Sequence, residues 1–381
     1  MSKFPSRKVN QLPKPSRKMK RRHFLTGAAA SLSTVGLGSL SGCGWTLANV
    51  RPPATYGNSN ELLIYTWSSY TDEKLLALFE QETGFRVVVD IFDANETMLS
   101  KFQAGGGGGY SIIYPSDYMV KKMMELNLLR ELDKSLILGL EQLFPRFQNP
   151  KYDRNNSHSI PVAWGTTGLI YNTKKITQPV KDWKFLWDNQ QSLKKRITLI
   201  NDVREVMGAT LKKLGFSYNA TNPQQIKQAY EELVKLKPAI ASFTSDAWKP
   251  QLLAGDLSIS MCYSSDAKQI ITENKAMSYV VPSSGSSSYV DTLVIPKTAP
   301  NPQAAYAWIN FLLQPRIAAY VMETLEFATP NQAAFTKLPL EKQKDETLFP
   351  APATLEKLEG IEPVGNATSI FEEYWTKLTS G

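Results

Sequence analysis

The sequence predicts an α/β fold in two lobes, each a mostly parallel sheet flanked by helices, facing a shared cleft. Three observations carry this. At 381 residues the chain is longer than one compact core ordinarily serves, so two lobes are expected. Strand-like and helix-like runs alternate, which implies parallel strands covered on both faces. The alternation breaks near residue 145, resumes after 160, and ends in helical closing segments. At 42% hydrophobic and 10% aromatic, the composition is that of a globular chain rather than a disordered one.

In chain order, "ELLIYTW" (61–67), "RVVVDIF" (86–92) and "YSIIYP" (110–115) read as strands. Between them, "TDEKLLALFEQETG" puts Leu75, Leu76 and Phe79 on one helical face, with Thr71 placed to cap it and Gly84 to stop it. A second helix, "ANETMLSKFQA", runs into five glycines, Gly105 to Gly109. Further on, "ITLIND" (197–202), "SISMCYS" (258–264), "MSYVVP" (277–282) and "DTLVIP" (291–296) read as strands. "REVMGATLKKLG", "PQQIKQAYEELVKL" and "DAKQIITENKA" read as helices, as do "NPQAAYAWINFLL", "RIAAYVMETL" and "SIFEEYWTKL" in the tail.

The formal charge of +8 does not mark a nucleic-acid binder. Residues 1–42 hold nine of the 43 basic residues and no acid, so 34 bases face 35 acids in the remainder, a net of −1. The first 42 residues have the export layout: a basic stretch, then a mildly apolar one, then small residues. "KRRHFL" resembles a twin-arginine signal, and "LSGC" resembles a bacterial lipobox that lipidates Cys43. Residues 43–60 read as a tether. With Cys43 lipidated, Cys262 stands alone, so no disulfide is expected, and its apolar run "SISMCYS" reads as a buried core thiol.

Catalytic signatures are missing. The glycine run leads into a strand and carries no Lys-Ser/Thr pair, so it reads as a loop and not a phosphate cradle. His158, the one histidine beyond the leader, sits in the polar stretch "DRNNSHSIP" and reads as exposed and idle. No Cys/His cluster suggests zinc, and no nucleophile elbow or dinucleotide fingerprint occurs. A binding protein without metal or cofactor is expected, not an enzyme.

The informative residues lie where strands end. "LINDVREV" sets Asp202 and Glu205 three apart at a strand-to-helix junction. Asp at the N-cap with Glu at the third helical position is a capping pattern. The carboxyl end of a strand at a cleft mouth is equally where a ligand would sit, and both readings stand. Asp291 supplies a third carboxylate in "SYVDTLVIP". Trp67, Tyr70, Tyr118, Tyr263 and Tyr289 recur at similar places. Ring faces attract ammonium groups by about 0.5–2 kcal/mol each. A carboxylate about 4 Å away adds up to about 4 kcal/mol at an effective dielectric near 20, before desolvation. An organic cation with apolar segments suits that combination.

At these residues the chain resembles the periplasmic polyamine-binding proteins, the spermidine/putrescine receptors of ABC importers. The likeness spans about 61–378 through "YTWSSY", "ETGFRVVVD", "YPSDY", "IPVAWGTTG", "NDVREVMGATLKKLG", "SFTSD", "DTLVIP", "ATPNQAA" and "SIFEEYWTKL". It implies the two-lobed periplasmic-binding fold of type II, with crossings near "WGTTG" and "YVDTLV". Lobe 1 would then comprise 61–165 and 292–335, and lobe 2 would comprise 166–291 and 336–381. It implies ligand contacts from Trp67, Ser68, Ser69 and Tyr70, from Tyr118, from Asp202 and Glu205, from Ser245, and from Tyr263, Tyr289 and Asp291. Phe327 replaces a tyrosine of the family and Ser69 an acid, while a glutamine near 361 is not evident. One carboxylate fewer favours putrescine or another short cation, although Asp117 could compensate. The implied partners are a polyamine and the membrane permease of an ABC transporter, with a lipid-anchored periplasmic monomer as the receptor. A same-fold receptor for another small cation, an amino acid derivative or a thiamine-like molecule, is the alternative.

Overall fold

The computed structural model describes residues 60–68 and 70–380. The leader, most of the tether, Cys43 and Ser69 lie outside the described residues. Strands β1 (Glu61–Trp67), β2 (Arg86–Phe92) and β3 (Ile112–Ile113) pair in parallel, with β1 in the middle. Beyond them come β4 (Ser159–Asn172), β5 (Ile197–Leu199), β6 (Ile240–Phe243), β7 (Ile259–Tyr263), β8 (Met277–Val280), β9 (Ser286–Val294) and β10 (Leu358–Gly360). One path joins most of them in the order β2-β1-β3-β9-β4-β7-β5-β6, with β8 beside β4 and β10 beside β9. The outer strands are parallel, as the βαβ alternation predicts. The central pairings, β4 with β9, β7 and β8 and β3 with β9, are antiparallel.

The 14-residue β4, like the short β6 and β10, is not among the strands the sequence predicts. Its run SIPVAWGTTGLIYN is buried along almost its whole length, so it shows no polar alternation. Ser159–Thr166 pairs with β9, whereas Thr167–Asn172 pairs with β7 and β8. Strand β4 therefore runs through both halves of the sheet, and β9 lies beside its first half. Glycine is required at the change-over. A Cβ on Gly165 would collide with the Tyr289 hydroxyl, and one on Gly168 would collide with the Val280 carbonyl oxygen.

Ten helices matter below: α1 (Glu73–Thr83), α2 (Asn95–Ala104), α3 (Asp117–Glu125), α4 (Val203–Lys213), α5 (Pro223–Leu236), α6 (Trp248–Ala254), α7 (Ser264–Glu273), α8 (Pro302–Leu313), α9 (Pro315–Leu325) and α10 (Thr368–Thr379). Helix α1 buries Leu75 and Phe79 and stops at Gly84, whose φ of 75° suits glycine. Its cap is Asp72 and not Thr71, since the Asp72 carboxylate accepts from the Leu75 N–H at 2.7 Å. Phe79 then meets Trp308 of α8 edge-on at 4.8 Å. That contact anchors the core of the first lobe, along with Leu62, Ile64 and Phe311. A separate core under α4, α5 and α10 gathers Val206, Met207, Tyr218, Leu233 and Phe371.

Beyond residue 336 the chain packs first on one core and then on the other. Leu348, Phe349 and Leu355 pack on the first core, and Ile361, Val364 and Phe371 on the second. The segment up to about 355 thus packs on the first core, and the chain from 361 onward on the second. His158 is also less idle than its polar surroundings suggest. It is half-buried, its Nδ1 lies 2.8 Å from Ser157 Oγ, and Asp153 accepts its backbone N–H.

Candidate functional site

A cavity of about 140 Å³ opens between the two lobes. On the first wall, β1 delivers Trp67 and Ser68 at its carboxyl end, followed by Tyr70. Trp67 leans on Phe92, the last residue of β2, at 4.4 Å between ring centroids. Tyr70 packs on Phe327 at 4.1 Å, and its hydroxyl donates to Asp291. Asp291 sits mid-strand in β9 and is 5% exposed. Its second oxygen accepts from Ser116 at 2.7 Å, and Asn95 donates in turn to Ser116 at 3.1 Å. Tyr118, in the first turn of α3, donates to Glu96 at 3.0 Å.

The second wall begins where β5 ends. Asp202 is the N-cap of α4, accepting from the N–H groups of Arg204 at 2.8 Å and Glu205 at 3.0 Å. Glu205 does not complete the reciprocal cap. Its carboxylate accepts instead from Thr167 at 3.0 Å, Tyr218 at 2.8 Å and Ser287 at 2.7 Å. Three hydroxyls thus hold a carboxylate that is only 2% exposed, and one lone-pair position remains for a further donor. Ser245 follows β6, and Tyr263 ends β7. The Tyr263 and Tyr289 rings meet edge-on at 5.2 Å.

Ten of the eleven residues expected to contact ligand therefore line one cavity, and the eleventh, Ser69, lies outside the described residues. Other lining residues had not been singled out: Asp93, Asp246 and Asp266, along with Lys249 and Gln269. Asp93 directly follows β2 and Asp266 opens α7 just beyond β7, so the strand-end rule that found Asp202 also covers them. Ile361 lines the cavity where a glutamine would have been polar.

The electrostatics are one-sided. Seven carboxylates line the space, and among the described lining residues Lys249 is the one base. Burial raises the Asp117 carboxyl well above its ordinary range, and the neighbouring Asp291 and Glu205 charges add to this. Burial also raises Asp202 and Asp266. Asp291 is pushed up to about 6 by burial, with the Tyr70 and Ser116 hydroxyls opposing the rise. Glu205 is pushed up to about 7, first by burial and then by the Asp202 charge. These are acids held out of water without enough positive charge, an arrangement that costs free energy until a cation arrives. Among the described residues, no group of three or more His, Cys, Asp or Glu is arranged to hold a metal ion. Cys262 is buried, and that burial raises its thiol well above the usual range.

Residues 74–351 match the model of the bacterial extracellular solute-binding protein family. The chain belongs to that family. This solute-binding protein is 36% identical over 330 residues to the spermidine/putrescine-binding periplasmic protein of Salmonella typhimurium, covering 86% of this chain and 94% of the relative. Among solved structures, it is similar to the spermidine/putrescine ABC transporter substrate-binding protein PotD of Streptococcus pneumoniae. That likeness has a TM-score of 0.75 and 36% identity, and covers 84% of this chain and 99% of that one. The TpPotD lipoprotein of Treponema pallidum is similar at a TM-score of 0.76 and 27% identity, over 84% of this chain and 100% of that one. The solute-binding protein thus shares the two-lobed type II architecture of these relatives.

Proposed function

We propose that this protein is the extracytoplasmic receptor of an ABC importer and binds a polyamine, putrescine or spermidine, in the interlobe cavity. The observation that carries this is the set of buried, under-compensated carboxylates on both walls of one aromatic-lined space. Asp291 with Asp117 on one wall and Asp202 with Glu205 on the other would receive one ammonium group per pair. Trp67, Tyr70, Tyr118, Tyr263 and Tyr289 would flank the methylene chain, while Ser68, Ser69 and Ser245 supply polar contacts at its ends. The printed names of the relatives support the ligand class and the transport role, and those relatives are binding proteins rather than enzymes.

The lobes would close by a hinge at β4, the strand that pairs in both halves of the sheet, and at the adjoining β9. A bound cation favours the closed form because it meets acids from both walls at once. Export by the twin-arginine-like leader and lipidation of Cys43 would hold a monomer at the membrane surface beside the permease. The name of the Treponema pallidum lipoprotein is in keeping with such an anchor. Mass spectrometry of the membrane fraction tests it: a diacylated N-terminal Cys43 supports the anchor, and an unmodified mature chain contradicts it.

A different cationic metabolite is the second reading. Phe327 and Ile361 favour it by bringing apolar surface to the cavity wall. Titration calorimetry across putrescine, spermidine, spermine and γ-aminobutyrate separates the two. Micromolar binding of at least one di- or polyamine is expected, and none at that level overturns the polyamine reading.

A further inference from the structure

The cavity already contains one alkylammonium of its own. Lys249, on α6, places its Nζ 2.7 Å from Asp266 Oδ1 on α7 and 3.0 Å from Asp246 Oδ1. All three residues line the cavity, and the Lys249 side chain is 23% exposed. A lysine side chain is a tetramethylene chain ending in an ammonium, the same chemical unit as half of a linear diamine carried with its four-carbon spacer. Lys249 and its two acids therefore form an amine seat that is filled from within.

The remaining acids fall into two further groups. Asp202 and Glu205 open α4. Asp117 and Asp291 flank Ser116, which precedes the first in sequence and donates to the second. A fourth position, Asp93, stands at the end of β2. Without Lys249 the second lobe would present a third pair, Asp246 and Asp266, to a third nitrogen.

We propose that Lys249 is a specificity-determining residue: by occupying the Asp246–Asp266 seat it limits the cavity to ligands with two ammonium groups and disfavours a third. This rests on the polyamine reading above and refines it. A third ligand nitrogen entering the cavity finds its acids already neutralised and meets a like charge, so the added length of a triamine gains no counter-ion.

The test is a double-mutant cycle read by titration calorimetry with putrescine and spermidine near pH 8. Lys249→Met keeps the aliphatic stem and removes the charge. It is expected to raise the spermidine-to-putrescine affinity ratio roughly tenfold or more, the worth of one charge-assisted hydrogen bond. Adding Asp266→Asn to Lys249→Met removes the carboxylate charge of the seat and is expected to return the ratio to that of the wild type. Lys249→Arg, which keeps the charge and the pairing, is expected to leave the ratio unchanged and serves as a folded control. A ratio unchanged in Lys249→Met, with putrescine still bound, overturns this proposal alone. A gain that survives in the double variant also overturns it, because volume and not charge would then be the cause. A wild type that binds neither amine overturns the polyamine reading and this proposal together.

Discussion

Replacing Asp291 by asparagine should make the empty protein more stable and ruin it as a receptor. The Asp291 carboxyl is raised from 3.8 to about 6, chiefly by burial. That rise corresponds to about 3 kcal/mol against the ionised form in the folded state. The sign follows from linkage. A carboxyl with a higher pKa folded than unfolded adds its stability below pH ~4 and loses it as pH rises through ~6. The amide of the Asp291→Asn variant would carry no such charge, while the Tyr70 and Ser116 hydroxyls can reorient to it. The ligand-free variant should therefore match the wild type near pH ~4 and exceed its unfolding free energy by about 1–3 kcal/mol above pH ~6.5, after allowance for relaxation and water entry. The same change removes a charged acceptor worth roughly 1.5–3 kcal/mol to a bound ammonium, so putrescine affinity should fall roughly 10–100-fold. Urea denaturation across that pH range, with and without putrescine, reads both effects. A variant less stable than the wild type at neutral pH, or a stability difference that does not grow with pH, would refute the reasoning.

Asp202→Ser should separate the two roles of that residue. Serine still caps α4, so ligand-free stability should stay within about 1 kcal/mol, while putrescine affinity drops roughly tenfold or more by calorimetry. An equal loss of affinity and stability would mean that capping alone explains Asp202. Gly165→Ala should act on the site through Tyr289, whose ring carbon Cζ lies 2.5 Å from the added methyl. The ring must move, and one aromatic contact to a cation is worth about 0.5–2 kcal/mol, so affinity should fall about two- to thirtyfold. Full affinity in a Gly165→Ala variant would remove Tyr289 from the binding surface.

Much of this site was legible because ligands of α/β sheets gather at strand ends, and the strands here betray themselves. Leu62, Ile64 and Tyr65 of β1 and the Val-rich β2 give apolar runs bounded by polar turns. Trp67, Asp202 and Tyr263 then fall at their carboxyl ends without further information. Strand β4 stayed hidden because burial along both faces erases alternation, and its two glycines are seats for Tyr289 and the Val280 carbonyl. The destination of the Glu205 carboxylate was equally unreadable. Local spacing predicts a return to the helix N-terminus, but Thr167, Tyr218 and Ser287 come from three other segments and outcompete it. Lys249 was missed for a related reason. A lysine in a helix reads as solvent-facing, and only the fold brings Asp266 of the next helix to it. Pairings across long sequence separations are set by the sheet order, which no window of residues contains.

The most direct test of the central claim is a crystal structure of the protein grown with putrescine. The account predicts diamine density in the interlobe cavity, with one nitrogen within about 3.2 Å of an Asp291 oxygen and the other at the same range from Asp202 or Glu205. A cavity that stays free of diamine at saturating concentration, or a diamine bound elsewhere with those three carboxylates untouched, would contradict it.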